Sequence, residues 1–448
     1  MIDAVENKRE LGYFSATMII IAAMIGTGIF TVTGYVIEHI PDPKHMIYAW
    51  IVVGFISLCG ALSYAEISSV FYENGGEYLF LSKLIHPSVG FMSAWVSFIV
   101  GFSAPCAAAA TAFGGYVSTI LPYFSPVLSA LAIVLCFSFV HIMGVKTGSY
   151  IQNILTVLKI VLVIVFIILG SAVATNVNIF TLDNVFSKSN TSNINILSSL
   201  LFISYAYTGW NTATYISGEI KNPKKNIPLA MITGTIIVSV FYVFINIIYM
   251  QTLSNKEMEG VLEIGYITMR KLYGESVGNY FSIGTAIALA SIISALIMAG
   301  SRLYDKVGSD YKLFKNISVK SSQNIPVAAI LVQCFIIVVL IISMNFERLL
   351  YYIGFTLNIF SVLTVISVFV IRKKEVYSAF RVPLYPITPL VYIIFNIIVL
   401  FQTIICRPAE SIIGFLTIFA GYILYYYAMK FEKKANDKLF GASQKVIP

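Results

Sequence analysis

The stretch that decides the fold is Ile25-Gly26-Thr27-Gly28-Ile29-Phe30, at the centre of the first long apolar run, residues 14–36. A run of this length crosses a bilayer as a helix of about 20 residues. Each glycine weakens a helix interior by roughly 1 kcal/mol relative to alanine, so the helix is able to open here. Inside a membrane, open backbone is tolerated only where protein or a water-filled cavity receives it. The stretch therefore predicts a mid-membrane binding site for a molecule with a negative and a positive end.

The composition is that of a membrane protein. Of the 448 residues, 58% are hydrophobic and 11% are charged, and the mean hydropathy is +0.85. Soluble proteins carry about 25% charged residues, and repeated long apolar runs distinguish helical membrane proteins from β-barrels, whose segments are short and alternating. The first run is too long for the apolar region of a cleavable signal peptide. The composition predicts an all-α polytopic membrane protein, surrounded by membrane lipid.

The charged and metal-binding residues give little reason to expect other partners. A net charge of +8 is explained by an excess of Lys and Arg in cytoplasmic loops, so we expect no nucleic acid partner. The five cysteines lie in or at the ends of apolar stretches without metal-ligand spacing, and the four histidines are scattered. We therefore expect no metal, no cofactor and no catalytic cluster, and the chain is not expected to be an enzyme.

The apolar runs predict twelve spans, and the basic residues predict their orientation. The spans cover residues 14–36, 46–71, 90–121, 125–145, 150–173, 197–220, 228–253, 277–302, 326–344, 349–371, 386–406 and 410–430. Of the 29 Lys and Arg residues, 21 fall on the side of the termini and 7 on the other side. The positive-inside rule then predicts that both termini are cytoplasmic. We expect the chain to lie in the plasma membrane.

The sixth span is expected to be interrupted like the first. Its sequence from Leu201 to Asn211 changes from apolar to polar around Thr208-Gly209. Interrupted helices at matching positions in two halves are the best sequence indicator of a transporter binding site, and spans 1 and 6 are five spans apart. We therefore expect two five-helix repeats of inverted topology, residues 1–173 with helices 1–5 and residues 197–371 with helices 6–10. Residues 386–430 would form helices 11 and 12, and residues 431–448 a cytoplasmic tail.

Four groups of motifs identify a family. They are Ile25-Gly26-Thr27-Gly28-Ile29-Phe30, where the family has G-S-G-I-F; Ala206-Tyr207-Thr208-Gly209-Trp210-Asn211 with Glu219, Asn222-Pro223 and Ile227-Pro228, where the family has A-Y-G-G-W-N and a later E-x-x-x-P-x-x-x-x-P; Tyr64-Ala65-Glu66-Ile67 with Gly75-Gly76-Glu77-Tyr78; and Ser301-Arg302-Leu303. Over nearly its whole length the chain resembles the amino acid–polyamine–organocation transporter superfamily, and within it the L-amino-acid transporter-like branch. The resemblance implies a leucine-transporter-like fold with helices 1 and 6 unwound, and amino acid transport.

The two interruptions are expected to form the substrate site. Backbone N–H groups at the start of the second half of helix 1 favour an anion such as a carboxylate, although the glycines there are also what close helix packing would require. Carbonyl groups freed at both interruptions would hold an ammonium group, and the resemblance places Tyr205 as an aromatic lid, for which ordinary packing is the alternative. Thr208 departs from the usual glycine, so no substrate size is inferred. The predicted substrate-binding residues are Ile25, Thr27, Gly28, Ile29, Tyr205, Ala206, Tyr207, Thr208 and Gly209.

Lys159 is the one basic residue deep in a predicted span. A charge within the membrane is costly and indicates a function, although snorkelling to the interface is an alternative. The resemblance puts a lysine of helix 5 where sodium-coupled relatives hold a sodium ion between helices 1 and 8. Lys159 would then contact the carbonyl of Ala22 or Ala23 and the hydroxyl of Ser291 or Ser294. This predicts that no sodium is required and leaves proton coupling and exchange open.

Four further residues are expected to brace or gate the site. Trp210 and Asn211 would support the unwound part of helix 6. Glu219 and Arg302, together with Glu66, lie near predicted cytoplasmic ends and are candidates for inner-gate ion pairs, a solvated interfacial role being the alternative. Because no Asp or Glu occurs at mid-depth, a cationic side chain would need aromatic cation–π contacts. A neutral amino acid is therefore the expected substrate.

Together these patterns predict a sodium-independent secondary transporter of neutral L-amino acids that works by alternating access, either by exchange or with proton coupling. One alternative is an antiporter of basic amino acids or polyamines. Another is a sensor that binds an amino acid without transporting it. The amino acid substrate and membrane lipid are the expected partners, and the need for an accessory subunit stays open.

Overall fold

The computed structural model describes residues 9, 11–143, 145–173, 193–316, 319 and 325–443, with side chains described in all of these except 145–153, 193–195, 305–306, 309 and 433–443. This part of the chain is built from helices. Its only paired extended backbone is a short parallel bridge between Leu11 and Ile220. There the N–H of Leu11 donates to the carbonyl of Glu219 at 3.0 Å and the N–H of Lys221 donates to the carbonyl of Leu11 at 2.8 Å.

The helices follow one another with short connections. In chain order they are α1 Tyr13–Met24, α2 Thr27–Ile37, α3 Pro43–Val70, α4 Gly76–Leu84, α5 Pro87–Val96, α6 Ala104–Ile120, α7 Pro126–Met143, α8 Val145–Val173, α9 Asn193–Ala206, α10 Pro223–Thr252, α11 Asn255–Met258, α12 Ile264–Tyr273, α13 Glu275–Asp310, α14 Val327–Ser343, α15 Phe346–Lys373, α16 Ile387–Cys406 and α17 Pro408–Ser443. A π-helical turn, Ser97–Ser103, joins α5 to α6, and a 3₁₀ helix, Thr212–Glu219, precedes α10.

The described residues contain ten helical stretches long and apolar enough to cross a membrane. They are α1 with α2, α3, α5 with α6, α7, part of α8, α10, most of α13, α15, α16 and the first part of α17. Two shorter apolar helices, Ile196–Ala206 and Val327–Ser343, accompany them. The predicted all-α polytopic class is confirmed, whereas the count of twelve crossings stays a prediction. The last helix continues into the predicted tail, of which residues 444–448 lie outside the described part.

The first predicted span is two helices in the structure. Helix α1 ends at Met24, Ile25 has ψ of 82°, and Gly26 is extended with φ of −112° and ψ of −158°. Helix α2 then begins at Thr27. This pair is the most buried of the candidate spans, since 72% of its apolar window lies inside the protein against 17% for α17. The break therefore lies at the centre of the bundle and α17 at its edge.

A second break follows α9. The helix ends at Ala206, residues 207–211 form turns, and Gly209 adopts a φ of +109° that favours glycine. The chain resumes as the 3₁₀ helix and then as α10, which packs along α1 and α3, while α2 packs on α9. Because α1 packs on α10 and α2 packs on α9, the two breaks lie next to each other in the bundle.

The connection between α10 and α13 covers the far end of α2. The N–H of Gly260 donates to the carbonyl of Gly34 at 3.1 Å, and the amide of Asn255 donates to the carbonyl of Pro41 at 2.7 Å. A Cβ atom at Gly34 would lie 2.1 Å from the carbonyl oxygen of Val261. A side chain at position 34 would therefore clash with this connection and force it to move away from α2.

Candidate functional site

The two breaks touch each other through glycines. A Cβ atom at Gly28 would lie 2.4 Å from the Cα of Ala206, and one at Gly209 would lie 2.8 Å from the carbonyl carbon of Ala23. Both distances are far below ordinary van der Waals contact, which begins at 3.4 Å. The start of α2 thus lies directly against the end of α9, and the turn after α9 lies against the end of α1.

The start of α2 offers backbone donors. The first N–H groups of a helix have no partner within it, and no side chain among the described residues caps α2. The Thr27 hydroxyl lies 2.7 Å from the Tyr205 hydroxyl, and both side chains are buried. This pair joins the predicted carboxylate-binding turn to the predicted lid residue. Two hydroxyl groups therefore lie beside the start of α2, where the helix dipole places a partial positive charge.

Three tyrosines that sequence reasoning did not single out hold the backbone around the first break. The Tyr242 hydroxyl lies within hydrogen-bond distance of the carbonyl oxygens of Met24 and Ala206, the latter at 3.0 Å. The Tyr249 hydroxyl donates to the carbonyl of Ile29 at 3.3 Å, and Tyr116 donates to that of Phe30 at 2.8 Å. Because the chain has 28 tyrosines, no sequence pattern distinguishes these three.

The side chains of Tyr207 and Thr208 have local structural partners. The Tyr207 hydroxyl donates to the carbonyl of Trp50 on α3 at 3.0 Å, which joins the turn after α9 to α3. The Thr208 hydroxyl donates to the carbonyl of Tyr205 at 2.7 Å and so caps the end of α9. The threonine that departs from the family pattern therefore satisfies a carbonyl group that a glycine would leave to its backbone N–H alone.

Lys159 connects α8 to the first break. Its ammonium group donates to the carbonyl of Ala22 at 2.6 Å, and the side chain is 2% exposed. None of the ion pairs within the described residues includes this lysine. Of the two predicted serines, Ser291 lies 3.5 Å from the Thr156 hydroxyl and Ser294 lies 3.0 Å from Nε2 of His141. The ammonium group therefore lies near the end of α1, two residues before the helix ends at Met24.

The predicted gate residues are arranged differently from the expected ion pairs. Glu66 is fully buried and pairs with Arg372 on α15 through two hydrogen bonds of 2.6 and 2.9 Å. Arg302 is exposed, and Glu219 contributes its backbone carbonyl to the bridge with Leu11. The partner of Glu66 is thus Arg372, which sequence reasoning did not name.

Trp210 and Asn211 brace the second break against α3 and α4. The Trp210 ring packs edge-on against Tyr64 with centroids 4.8 Å apart. The Asn211 amide donates to Oε1 of Glu77 at 3.1 Å, and the Tyr64 hydroxyl donates to the same oxygen at 2.6 Å. Glu77 therefore joins three parts of the bundle at one buried carboxylate.

Comparison with known proteins places these features in a family. The amino acid permease family model matches residues 11–429. The serine/threonine exchanger SteT of Bacillus subtilis (strain 168) is 29% identical, covering 96% of this chain and 98% of its own length. The b(0,+)-type amino acid transporter 1 of Mus musculus is 29% identical over 94% of this chain and 88% of its own. The large neutral amino acids transporter small subunit 2 of Homo sapiens is 27% identical over 95% of this chain and 82% of its own.

These matches confirm the predicted superfamily and a role in amino acid transport rather than catalysis. The matched region includes both helix breaks, Lys159 and the Glu66–Arg372 pair. The chain belongs to the amino acid permease family of membrane transporters.

Proposed function

We propose that the chain is a sodium-independent exchanger of neutral L-amino acids, working by alternating access around the two helix breaks. The observation that carries this proposal is the hydrogen bond from the ammonium group of the buried Lys159 side chain to the carbonyl of Ala22. Support for exchange comes from the relative named as a serine/threonine exchanger, and support for neutral substrates from that relative and the large neutral amino acids transporter.

The lysine side chain supplies, as a fixed part of the protein, the positive charge that a bound sodium ion would otherwise supply. A cation beside carbonyl groups freed by a helix break stabilises them by a charge-assisted hydrogen bond. Because Lys159 is part of the chain, this charge does not enter or leave with the substrate. A sodium gradient then supplies no energy to transport, which favours exchange of one amino acid for another.

The substrate is expected to lie across the two breaks. Its carboxylate would accept hydrogen bonds from the N–H groups of Thr27, Gly28 and Ile29 at the start of α2. Its ammonium group would be held by carbonyl groups near Ile25 and Ala206. The sequences 13–37 and 193–218 contain no Asp, Glu, Lys or Arg, so these two segments offer no opposite charge to an ionised substrate side chain. A neutral amino acid fits this chemistry best.

The architecture that this mechanism needs is also a proposal. We infer inverted repeats over residues 1–173 and 197–371, with residues 386–430 outside them. The shorter helices Ile196–Ala206 and Val327–Ser343 would bring the number of crossings to twelve. The distribution of Lys and Arg favours cytoplasmic termini, and we propose the plasma membrane as the location.

The test is transport by the purified chain in proteoliposomes. Uptake of labelled serine, threonine, leucine and lysine is measured with and without unlabelled amino acid inside, in sodium and in choline buffers. We expect uptake of the neutral substrates only into loaded vesicles, and equally in both buffers. Uptake into empty vesicles driven by a pH step would show proton coupling instead, preferred uptake of lysine would show a basic amino acid antiporter, and binding without uptake would show a sensor.

A further inference from the structure

A buried carboxylate lies beside the second break and has no part in the mechanism above. Glu77 is the second residue of α4, a nine-residue helix that is not among the candidate spans, and its side chain is 6% exposed. Gly75 and Gly76, with φ of +137° and +53°, turn the chain into this helix. A Cβ atom at Gly76 would lie 2.8 Å from the Tyr215 ring. This close approach presses the start of α4 against the 3₁₀ helix and brings Glu77 into the interior.

The carboxylate has neutral partners from two different parts of the bundle. Oε1 accepts from the Tyr64 hydroxyl on α3 at 2.6 Å and from the Asn211 amide in the turn after α9 at 3.1 Å. Tyr64 is fully buried and supports the Trp210 ring. A single carboxylate oxygen thus links the scaffold helices α3 and α4 to the segment 207–211, which contributes to the proposed substrate site.

The surroundings of Glu77 supply no cation among the described residues. The carboxylate interacts electrostatically with three tyrosines, Tyr64 on α3, Tyr215 on the 3₁₀ helix and Tyr392 on α16. Tyr78 and Lys83 also lie on α4, Glu66 on α3, Glu219 on the 3₁₀ helix and Arg372 on α15, whereas α5 carries no charged or titratable residue. Arg372 is bound to Glu66, and Lys83 is exposed. Burial raises the pKa of Glu77 to about 7, against the opposing effect of its hydrogen bonds from Tyr64 and Asn211. The group therefore titrates in the physiological range.

We propose that Glu77 is a proton-binding site whose occupancy is linked to the position of the segment 207–211, and this inference rests on the proposed alternating-access function. Alternating access moves the broken helices relative to the scaffold. When Asn211 leaves, the carboxylate loses one of the two donors that stabilise its charged form, while Tyr64 stays with it on α3.

The direction of the effect follows from linkage. A hydrogen bond to the charged form lowers the pKa of a carboxyl group, so the arrangement with Asn211 bound has the lower pKa of the two. A rise in pH therefore favours the arrangement in the structure, and a fall in pH favours its release. The proton acts on the rate at which the segment moves and need not be transported with the substrate.

The test compares pH profiles of exchange. Initial rates are measured in proteoliposomes with equal pH on both sides, from about pH 5.5 to about pH 8.5, a range that brackets a group titrating near neutrality. We expect the wild-type rate to change with a midpoint near neutral pH and the Glu77→Gln variant to lose that change. The matched control is Glu73→Gln, an exposed carboxylate in the connection that precedes α4, which should keep the wild-type profile.

A second variant keeps the proposal testable if Glu77→Gln is poorly folded. Tyr64→Phe removes a donor to the carboxylate and should move the midpoint to higher pH. A wild-type profile without a midpoint in this range, an unchanged profile in Glu77→Gln or an unmoved midpoint in Tyr64→Phe would each overturn the proposal.

Infrared spectroscopy tests the proton site even if the chain does not transport amino acids, and so separates failure of this proposal from failure of the proposed function. If no amino acid is exchanged at any pH, the proposed function is wrong, but the proton site is still measured. The acid-minus-alkaline difference spectrum of the wild type should contain a protonated carboxyl band that Glu77→Gln lacks and Glu73→Gln retains. Equal spectra for wild type and Glu77→Gln would refute the site.

Discussion

Replacing Gly28 by alanine tests the central geometry, the direct contact between the two helix breaks. The added Cβ would lie 2.4 Å from the Cα and 2.5 Å from the Cβ of Ala206, whereas carbon atoms in contact are about 3.5–4.0 Å apart. The breaks must therefore separate by about 1 Å or more. Overpacking of this kind costs about 1–3 kcal/mol, and alanine regains up to about 1 kcal/mol through its higher helix propensity.

We expect a net loss of about 1–2 kcal/mol in the free energy of unfolding, seen as a lower Tm of the purified protein in detergent. Exchange should fall further than stability. A displacement of about 1 Å costs enzymes about 100-fold in rate, and the N–H groups proposed to bind the substrate carboxylate move with Gly28. The measurements are thermal unfolding and initial exchange rates on the same preparation.

The control lies two residues away. A Cβ atom at Gly26 would meet no atom closer than 3.6 Å, the carbonyl oxygen of Met24, and its φ of −112° suits any residue. The free energy of unfolding of Gly26→Ala should therefore stay within about 0.5 kcal/mol of the wild-type value, and its Tm should be nearly unchanged. If Gly28→Ala kept the wild-type Tm and rate, or if Gly26→Ala were equally destabilised, the close contact between Gly28 and Ala206 would not be important for stability or exchange.

Three further outcomes are expected. Lys159→Ala removes the charged donor to the partly buried carbonyl of Ala22, at a cost of about 1–3 kcal/mol, and should abolish exchange; wild-type rates would contradict the proposed role. Choline in place of sodium should leave wild-type exchange unchanged, whereas a steep sodium dependence would contradict it from the other side. Arg372→Ala leaves the buried carboxylate of Glu66 without its cation and with the N–H of Val382 as a remaining donor, and should lower the free energy of unfolding by about 3–5 kcal/mol. Arg270→Ala, which breaks an exposed pair, should cost under about 1 kcal/mol, and equal Tm values for the two variants would show that burial of the pair does not matter.

The membrane class and the family could be predicted from the sequence because they depend on local properties. Low charge content and long apolar runs need no knowledge of tertiary packing. The glycines of residues 25–30 indicated a weak point in a helix by themselves, and in the structure α1 ends at Met24 and α2 begins at Thr27. A polar stretch marked the second break, after Ala206.

The partners of the buried polar groups could not be predicted in the same way. Glu66 binds Arg372 across 306 residues of sequence, and Asn211 binds Glu77 across 134 residues. Each pairing depends on which helices become neighbours, and a single sequence does not contain that information. The role of Tyr242 was hidden for a second reason, since a tyrosine in an apolar run is equally compatible with ordinary packing.

The bridge between Leu11 and Ile220 has a consequence for the moving parts of the transporter. Its two backbone hydrogen bonds fasten the approach to α1 to the residues that follow the 3₁₀ helix. The segment before α1 and the segment after the 3₁₀ helix are therefore joined, and we expect them to move together. A disulfide engineered between positions 11 and 220 would leave such a joint motion free, whereas a cross-link from either position to α3 would arrest it.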